Sequence, residues 1–256
     1  MLTVRYDLTR QPYSIGDPIT TAVAGSIIAD ERGHDAINFA FVGADIEHLK
    51  RRAMQVAPTL APMVKTVSFH VEPGADVWPE EDAPYLFYRI NDEIVSPYFE
   101  KHGRVPKLTT GMDRPYYAPY VSINLRHSRG TPERNSNLPA WQRFMLNHPE
   151  QTFITIGDVH RDGETRHQMF IPDMAVIEHS AFHMGTVSGP CELVKFSDKP
   201  YACFGLLRGE KERGLKSWSN GRWAWAKPGQ TWTDQPETVE NLEAAYQAWR
   251  NSGSQS

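Results

Sequence analysis

The chain is poor in cysteine and has no long hydrophobic run. Its two cysteines, Cys191 and Cys203, are too few for a disulfide framework or for a multi-cysteine zinc site. No stretch approaches the ~20 apolar residues of a membrane span. The first residues show no basic segment followed by an apolar run, so no signal peptide is expected. These absences predict a soluble, cytoplasmic protein without a membrane span.

An excess of basic charge is also missing. The 27 Lys+Arg and 31 Asp+Glu give a formal charge of -4. A general polyanion binder usually has a basic excess, so nucleic acid is not an expected partner. A content of 11 Phe, 10 Tyr and 7 Trp requires burial and argues against a disordered chain. The 19 prolines and 18 glycines indicate many loops and argue against a bundle of long helices.

The order of apolar and polar segments predicts an α/β protein in two parts. Residues 2–6, 36–42 and 64–71 are strand candidates, and helical segments separate them. A segment rich in Pro, Gly and Tyr follows, and a second strand–helix alternation begins at Tyr120. Right-handed crossovers would make such sheets parallel. We expect a boundary near residues 115–119, with domains at 1–117 and 118–256.

A polar loop, residues 126–137, follows the strand candidate of the second part. It contains three arginines, whose planar donors suit phosphate oxygens, namely Arg126, Arg129 and Arg134. Ligands of open α/β sheets bind beyond the carboxyl ends of strands. Asn135, Ser136 or Asn137 could cap the next helix. A phosphate-binding loop and a solvated charged loop with a capping Asn both remain open.

The segment Ser188-Gly189-Pro190 predicts a strand-to-helix turn. Proline at the first helical turn would leave neighbouring backbone N–H groups directed at an anion. The chain has no Gly-x-x-x-x-Gly-Lys-Ser/Thr and no Gly-x-Gly-x-x-Gly motif. An ordinary turn without a ligand is the alternative.

Metal-dependent chemistry has weak support. Gly157-Asp158-Val-His160 is similar to one motif of dinuclear metallophosphoesterases, but the other motifs are absent and Arg161 stands where that family has glycine. His179 and His183 would share a face if they lay on a helix. There is no His-Glu-x-x-His and no paired cysteine. We expect surface histidines, or histidines behind a site, and no bound metal.

Four tryptophans lie between residues 218 and 232. Their rings could stack on a sugar or a base, or they could pack within the protein. Gly-x-Ser-x-Gly is absent, so a serine hydrolase of the nucleophile-elbow type is not predicted.

Several segments in order resemble a GT-B-type glycosyltransferase-like family of bacterial and viral polysaccharide clusters. These are Tyr6-Asp-Leu with Asp17 and Glu31-Arg32, Val121–Arg126, Pro132-Glu-Arg-Asn-Ser-Asn-Leu-Pro-Ala-Trp141, Ser188-Gly-Pro190 with Pro200-Tyr201, and Trp225–Trp232. The stretch Arg-Asn-Ser-Asn-x-x-x-Trp is the most specific of them. The resemblance implies two Rossmann-like domains facing a cleft: residues 1–117 on the acceptor side and 118–256 for a nucleotide-sugar donor.

The resemblance also implies roles for residues. The donor phosphates would be bound by Arg126, Arg129, Arg134, Asn135, Ser136, Asn137, Ser188, Gly189 and Pro190. Asp158 and Glu192 would contact nucleotide or sugar, and Asp17 or Asp7 would be the catalytic base. No cofactor or metal is implied, because positive side chains and a helix N-terminus would stabilise the leaving diphosphate.

The sequence therefore predicts a metal-independent glycosyltransferase of hexosyl- or fucosyltransferase type. It would move a sugar from a nucleotide-sugar to a glycan or glycoconjugate acceptor, in polysaccharide biosynthesis. A non-catalytic nucleotide- or carbohydrate-binding protein on the same fold is the main alternative. A metallophosphoesterase is the third.

Overall fold

The computed structural model describes residues 1–10, 16–80, 87–128, 132–157, 170–205 and 214–253, with backbone alone at 87–88 and 170–172. The chain divides into two compact units, Met1–Gly111 and Met112–Ser256. The boundary expected between residues 117 and 118 lies in the same irregular segment, which precedes the first strand of the second unit. Among the described helices, none combines the length and apolar character of a membrane span.

The first unit contains a parallel four-stranded sheet. Its strands are β1 (Leu2–Asp7), β2 (Ile37–Val42), β3 (Val64–Ser68) and β4 (Val77–Trp78). They lie in the order β3-β2-β1-β4. The helical segments are α1 (Gly16–Glu31), α2 (Ile46–Leu60), α3 (Phe87–Ile90), a π-helical stretch (Asn91–Val95) and α4 (Ser96–His102). Strands β1 and β2 form the centre of the sheet and are buried over almost their whole length.

Local sequence explains how the first unit packs. Gly25 lets α1 lie against β1, because a Cβ at this position would be 2.3 Å from Val4 Cγ2. Asp45 caps α2 by accepting hydrogen bonds from the backbone N–H groups of Glu47 and His48. Gly103, with a φ of 66°, ends α4 in the left-handed conformation that glycine adopts at little cost.

The second unit contains a parallel five-stranded sheet and a short antiparallel hairpin. Its sheet strands are β5 (Val121–Leu125), β6 (Phe153–Gly157), β7 (Phe182–Thr186), β8 (Tyr201–Phe204) and β11 (Gln230–Thr233), and the hairpin is β9 (Trp218–Ser219) with β10 (Arg222–Trp223). The sheet order is β11-β8-β7-β5-β6. If the five strands are numbered by their order in the chain, they lie in the order 2-1-3-4-5 starting from β6. This is a doubly wound arrangement, and its switch point lies between the first strand, β5, and the third strand, β7.

Helices cover this sheet. They are α5 (Leu138–Asn147), α6 (Phe170–His179), α7 (Gly189–Lys195) and α8 (Val239–Gly253). Trp141 and Phe144 of α5 and Tyr246 of α8 pack with strand residues in one core cluster. The predicted α/β fold with parallel sheets is confirmed. Strands β4 and β11 and the hairpin were not predicted, because two-residue strands and isolated tryptophans leave no periodic pattern in the sequence.

The tryptophan-rich segment packs inside the second unit. Trp223, Trp225 and Trp232 are 2%, 4% and 1% exposed. The Trp225 ring stacks on Phe196, and Trp218 Nε1 donates to the carbonyl of Trp232. The structure therefore favours the packing role over a stacking platform for a sugar or base.

Candidate functional site

The carboxyl ends of β5 and β7 form the switch point of the second unit. These strands are neighbours, with Asn124 of β5 opposite Gly185 of β7. Gly185 is required here, because a Cβ at this position would lie 2.8 Å from Asn124 Cβ. Asn124 Nδ2 donates to the carbonyl of Thr186 at 3.1 Å and to Ser188 Oγ at 2.6 Å. This buried amide joins both strand ends, and sequence analysis missed it although it is a polar residue in an apolar strand.

The loop after β5 is held by its own polar side chains. Asn135 Oδ1 accepts from the backbone of Ser128, and Asn135 Nδ2 donates back to the Ser128 carbonyl. Ser136 Oγ accepts from the backbone N–H of Arg126 at 2.7 Å. Asn137 caps α5 and also donates to the carbonyl of Glu237. These three side chains position the loop, and their predicted contact with phosphate stays a prediction.

The arginines of this loop lie close to the other strand end. Arg126 and Arg134 are half-buried, which leaves part of each side chain open to solvent. Arg134 Nη2 donates a long hydrogen bond, 3.5 Å, to the carbonyl of Val187 in the turn between β7 and α7. The structure therefore brings the predicted arginine loop and the predicted Ser-Gly-Pro turn together. Arg129 lies outside the described residues.

The turn before α7 has the predicted form. Ser188 is the N-cap residue with an extended backbone, and its Oγ donates to the Thr186 carbonyl at 3.1 Å. Half-buried Gly189 and buried Pro190 begin the helix. Glu192 is 8% exposed and forms an ion pair with Lys195, which is 2% exposed and packs against aromatic rings. The predicted nucleotide or sugar contact of Glu192 remains untested, as does that of Asp158, which lies outside the described residues.

Glu237 connects the two halves of this site. Its Oε2 accepts from the backbone N–H of Asn137 at 2.8 Å and from Trp141 Nε1 at 2.7 Å. Its Oε1 accepts from Thr186 Oγ1 at 2.5 Å. Because the Thr186 hydroxyl donates to Glu237, Ser136 Oγ must donate to Thr186. A continuous chain of hydrogen bonds thus runs from the Arg126 backbone to the Glu237 carboxylate, which sequence analysis did not identify.

The two candidate bases belong to the first unit. Asp7 is the last residue of β1, and its Oδ1 accepts from the backbone N–H and the hydroxyl of Thr9 at 2.9 and 2.6 Å. Its Oδ2 lies 3.9 Å from Arg5 Nη2. Asp17 is 6% exposed in the first turn of α1. The role of either carboxylate as a base stays a prediction.

Three side chains of the second unit form a cluster able to hold a metal ion. His183, Cys191 and Cys203 are buried, with ligand atoms within 4.8 Å of one another. Burial raises the pKa of the Cys191 thiol, but the neighbouring Cys203 and His183 side chains outweigh it and lower that pKa to about 6. Burial and the adjoining Cys191 sulfur raise the pKa of Cys203 above its ordinary value.

His179 and His183 do not lie on one helix. His179 ends α6 and its Nε2 contacts the Met112 carbonyl at 2.7 Å, whereas His183 lies in β7. They therefore do not share a helix face. His160 of the motif similar to metallophosphoesterases lies outside the described residues.

Comparison with known proteins identifies the fold. No protein-family model matches the chain, and no curated protein matches it in sequence. The dodecameric iron-containing heptosyltransferase TibC, solved with ADP-D-beta-D-heptose, matches with a TM-score of 0.58 and 10% identity, over 100% of this chain and 78% of TibC. TibC from enterotoxigenic E. coli H10407 matches with a TM-score of 0.56 and 13% identity, over 100% and 80% of the two chains.

A third solved structure agrees. E. coli heptosyltransferase WaaC, with ADP-2-deoxy-2-fluoro heptose, matches with a TM-score of 0.50 and 11% identity, over 99% of this chain and 100% of WaaC. Likeness at this identity concerns the fold alone. The chain therefore has the α/β fold, with parallel Rossmann-like sheets, of GT-B glycosyltransferases.

Proposed function

We propose that the protein is a glycosyltransferase that uses a nucleotide-diphosphate sugar as donor and a glycan or glycoconjugate as acceptor. The observation that carries the proposal is the meeting of the Arg126–Arg134 loop with the Ser188–Gly189 turn at the switch point of the second unit. Open α/β sheets bind ligands at this place. Two arginines beside a strand-to-helix turn suit a diphosphate.

The proposed reaction follows from these charges. The acceptor hydroxyl oxygen forms a bond to the anomeric carbon of the donor sugar while the bond from that carbon to the diphosphate oxygen breaks. Arg126 and Arg134 would stabilise the negative charge that develops on the leaving diphosphate, so that no metal ion is needed for this purpose. Asp7 or Asp17 would accept the hydroxyl proton.

The donor class has one further support. The solved TibC and WaaC structures contain ADP-heptose or its fluorinated analogue. We therefore propose an ADP-activated sugar as the first donor to test, with UDP-, GDP- and CMP-sugars as the comparison set.

Calorimetric titration with ADP, UDP, GDP and CMP tests the phosphate site. Arg126→Ala and Arg134→Ala should each weaken binding of the preferred nucleotide by more than 1 kcal/mol, because a hydrogen bond to a charged group contributes about 1.5–3 kcal/mol. Arg143→Ala is the matched control, since Arg143 lies exposed on α5 of the same unit. Unchanged affinity in both test variants would refute the phosphate assignment.

A binding protein without transfer activity is the second candidate. It is favoured by the state of the candidate bases: the Asp7 carboxylate already accepts two hydrogen bonds from Thr9, and Asp17 is 6% exposed. Donor turnover assays with the unmodified protein, Asp7→Asn and Asp17→Asn separate the candidates. Nucleotide binding without turnover of any donor–acceptor pair would identify the binding protein.

A further inference from the structure

A buried cluster of metal-ligand side chains lies where β7, β8 and the first turn of α7 meet. His183 of β7, Cys191 of the first turn of α7 and Cys203 of β8 place their ligand atoms within 4.8 Å of one another. All three residues have an exposed fraction of 0%. We propose that this cluster binds a divalent, thiophilic metal ion of the zinc class, and that the ion fixes α7 to β7 and β8.

The hydrogen bonds of His183 leave one ring nitrogen able to serve as a ligand. Ser180 Oγ donates to the Ile177 carbonyl at 2.8 Å, and a carbonyl can only accept. Ser122 Oγ therefore donates to Ser180 Oγ at 3.0 Å and must accept from His183 Nδ1, 2.9 Å away. The neutral ring thus carries its proton on Nδ1 and its lone pair on Nε2.

The Nε2 atom of His183 is the ring atom available to a metal ion. His183 Nε2 is buried and has no hydrogen-bond partner among the described residues. A buried polar atom without a partner carries a free-energy cost that a bound metal would remove. Metal-binding histidines typically donate their other ring N–H to a fixed acceptor, as His183 does to Ser122. The serine chain is therefore the support that such a ligand needs.

Charge and distance favour a divalent ion. Two thiolates and a neutral imidazole balance a charge of two, so the filled site would be neutral, as complete burial demands. In a tetrahedral zinc site, Zn–S bonds of about 2.3 Å place the sulfurs about 3.8 Å apart. Ligand atoms within 4.8 Å of one another need shifts of roughly 1 Å or less to reach that geometry.

The cluster adjoins the end of β7, and its three side chains leave the fourth position of a tetrahedral ion to a water molecule. The Thr186 carbonyl oxygen lies 3.3 Å from Cys191 Sγ. Thr186 ends β7, and Ser188 of the same turn caps α7. An ion bound to Cys191 would thus restrain the turn before α7. The metal proposal does not depend on the proposed glycosyltransferase activity, since it concerns different side chains.

Cobalt titration tests the proposal directly. The full-length, reduced protein is freed of metal with a chelator and titrated with Co²⁺ alone. We expect one equivalent to bind, with a thiolate-to-metal charge-transfer absorption and the intense visible bands of a tetrahedral ion. One equivalent of Zn²⁺ should remove both signals. Absence of the charge-transfer absorption in the unmodified protein overturns the proposal, without recourse to any variant.

Variants locate the site. Cys191→Ser and Cys203→Ser should each abolish the charge-transfer absorption or weaken Co²⁺ binding at least tenfold. His70→Gln is the control, because His70 is an exposed histidine that pairs with Glu72 at the surface. Should a cysteine variant fail to fold, protection of both thiols from alkylation by Zn²⁺ in the unmodified protein gives the same information. Co²⁺ binding that is lost in His70→Gln, or a Cys191–Cys203 disulfide that persists under reduction, overturns the proposal.

Discussion

Removal of the Glu237 carboxylate should destabilise the second unit more than any ordinary surface change. Glu237→Ala removes an acceptor from the Asn137 N–H, from Trp141 Nε1 and from the Thr186 hydroxyl. Each hydrogen bond to a charged group contributes about 1.5–3 kcal/mol. Because Glu237 is half-buried, water can replace part of this loss. We expect a decrease of about 3 kcal/mol in the free energy of unfolding, which corresponds to a Tm lower by roughly 6–12 °C.

Glu237→Gln should give an intermediate result. The remaining amide oxygen can still accept from Asn137 and Trp141, but the amide NH₂ meets the Thr186 hydroxyl, whose proton then loses its acceptor. Urea unfolding followed by circular dichroism measures both variants. Glu133→Ala is the charge control, since Glu133 is exposed, and it should change stability by less than about 0.5 kcal/mol. A loss below 1 kcal/mol in Glu237→Ala would show that the carboxylate does not hold these elements together.

The other predictions concern backbone strain, a helix cap and a buried phenol. Gly157→Ala should lower stability by more than about 2 kcal/mol in urea unfolding, because φ is +98° and the new Cβ would lie 2.2 Å from the Leu125 carbonyl oxygen. Gly74→Ala, with φ +76° and open space, should cost clearly less, and equal losses would contradict this account. The pKa of Asp45 is lowered, chiefly by the hydrogen bond from the His48 backbone N–H. The stability that this cap contributes is therefore present above pH 3.8 and is lost as the pH falls further. In urea unfolding, Asp45→Ala should be less stable than the unmodified protein at neutral pH, and the difference should shrink below pH 3.8. Burial raises the pKa of Tyr120 to about 12, so the ultraviolet titration of Tyr120→Phe should lack one phenol that ionises near pH 12 in the unmodified protein, and an unchanged titration would refute the assignment.

The regular elements show what local sequence can predict. The apolar run ending at Val42 and the segment beginning at Tyr120 predicted strands, and both are inner strands of parallel sheets. The residues of a single segment carry this information, because strands buried on both faces are rich in apolar residues. The sequence carries no such signal for β4 or for the two hairpin strands, because each of these strands is only two residues long.

For the candidate site, too, some features follow from the sequence and others only from the tertiary structure. Sequence alone determined that the second part carries an arginine loop after one strand and a Ser-Gly-Pro turn before a helix. Only the tertiary structure decided that β5 and β7 are neighbours, which places Arg134 beside Val187. Strand order depends on crossover connections and on packing of whole helices, and no local pattern encodes it.

The least predictable contacts join residues far apart in the chain. Glu237 reaches Asn137 across 100 positions, and His183 meets two cysteines that composition alone had set aside as too few for a site. Sequence determined the chemistry of each side chain and the local elements that carry it. The tertiary structure decided which of these groups share a buried volume, because proximity between distant segments arises only when the sheet and its helices pack together.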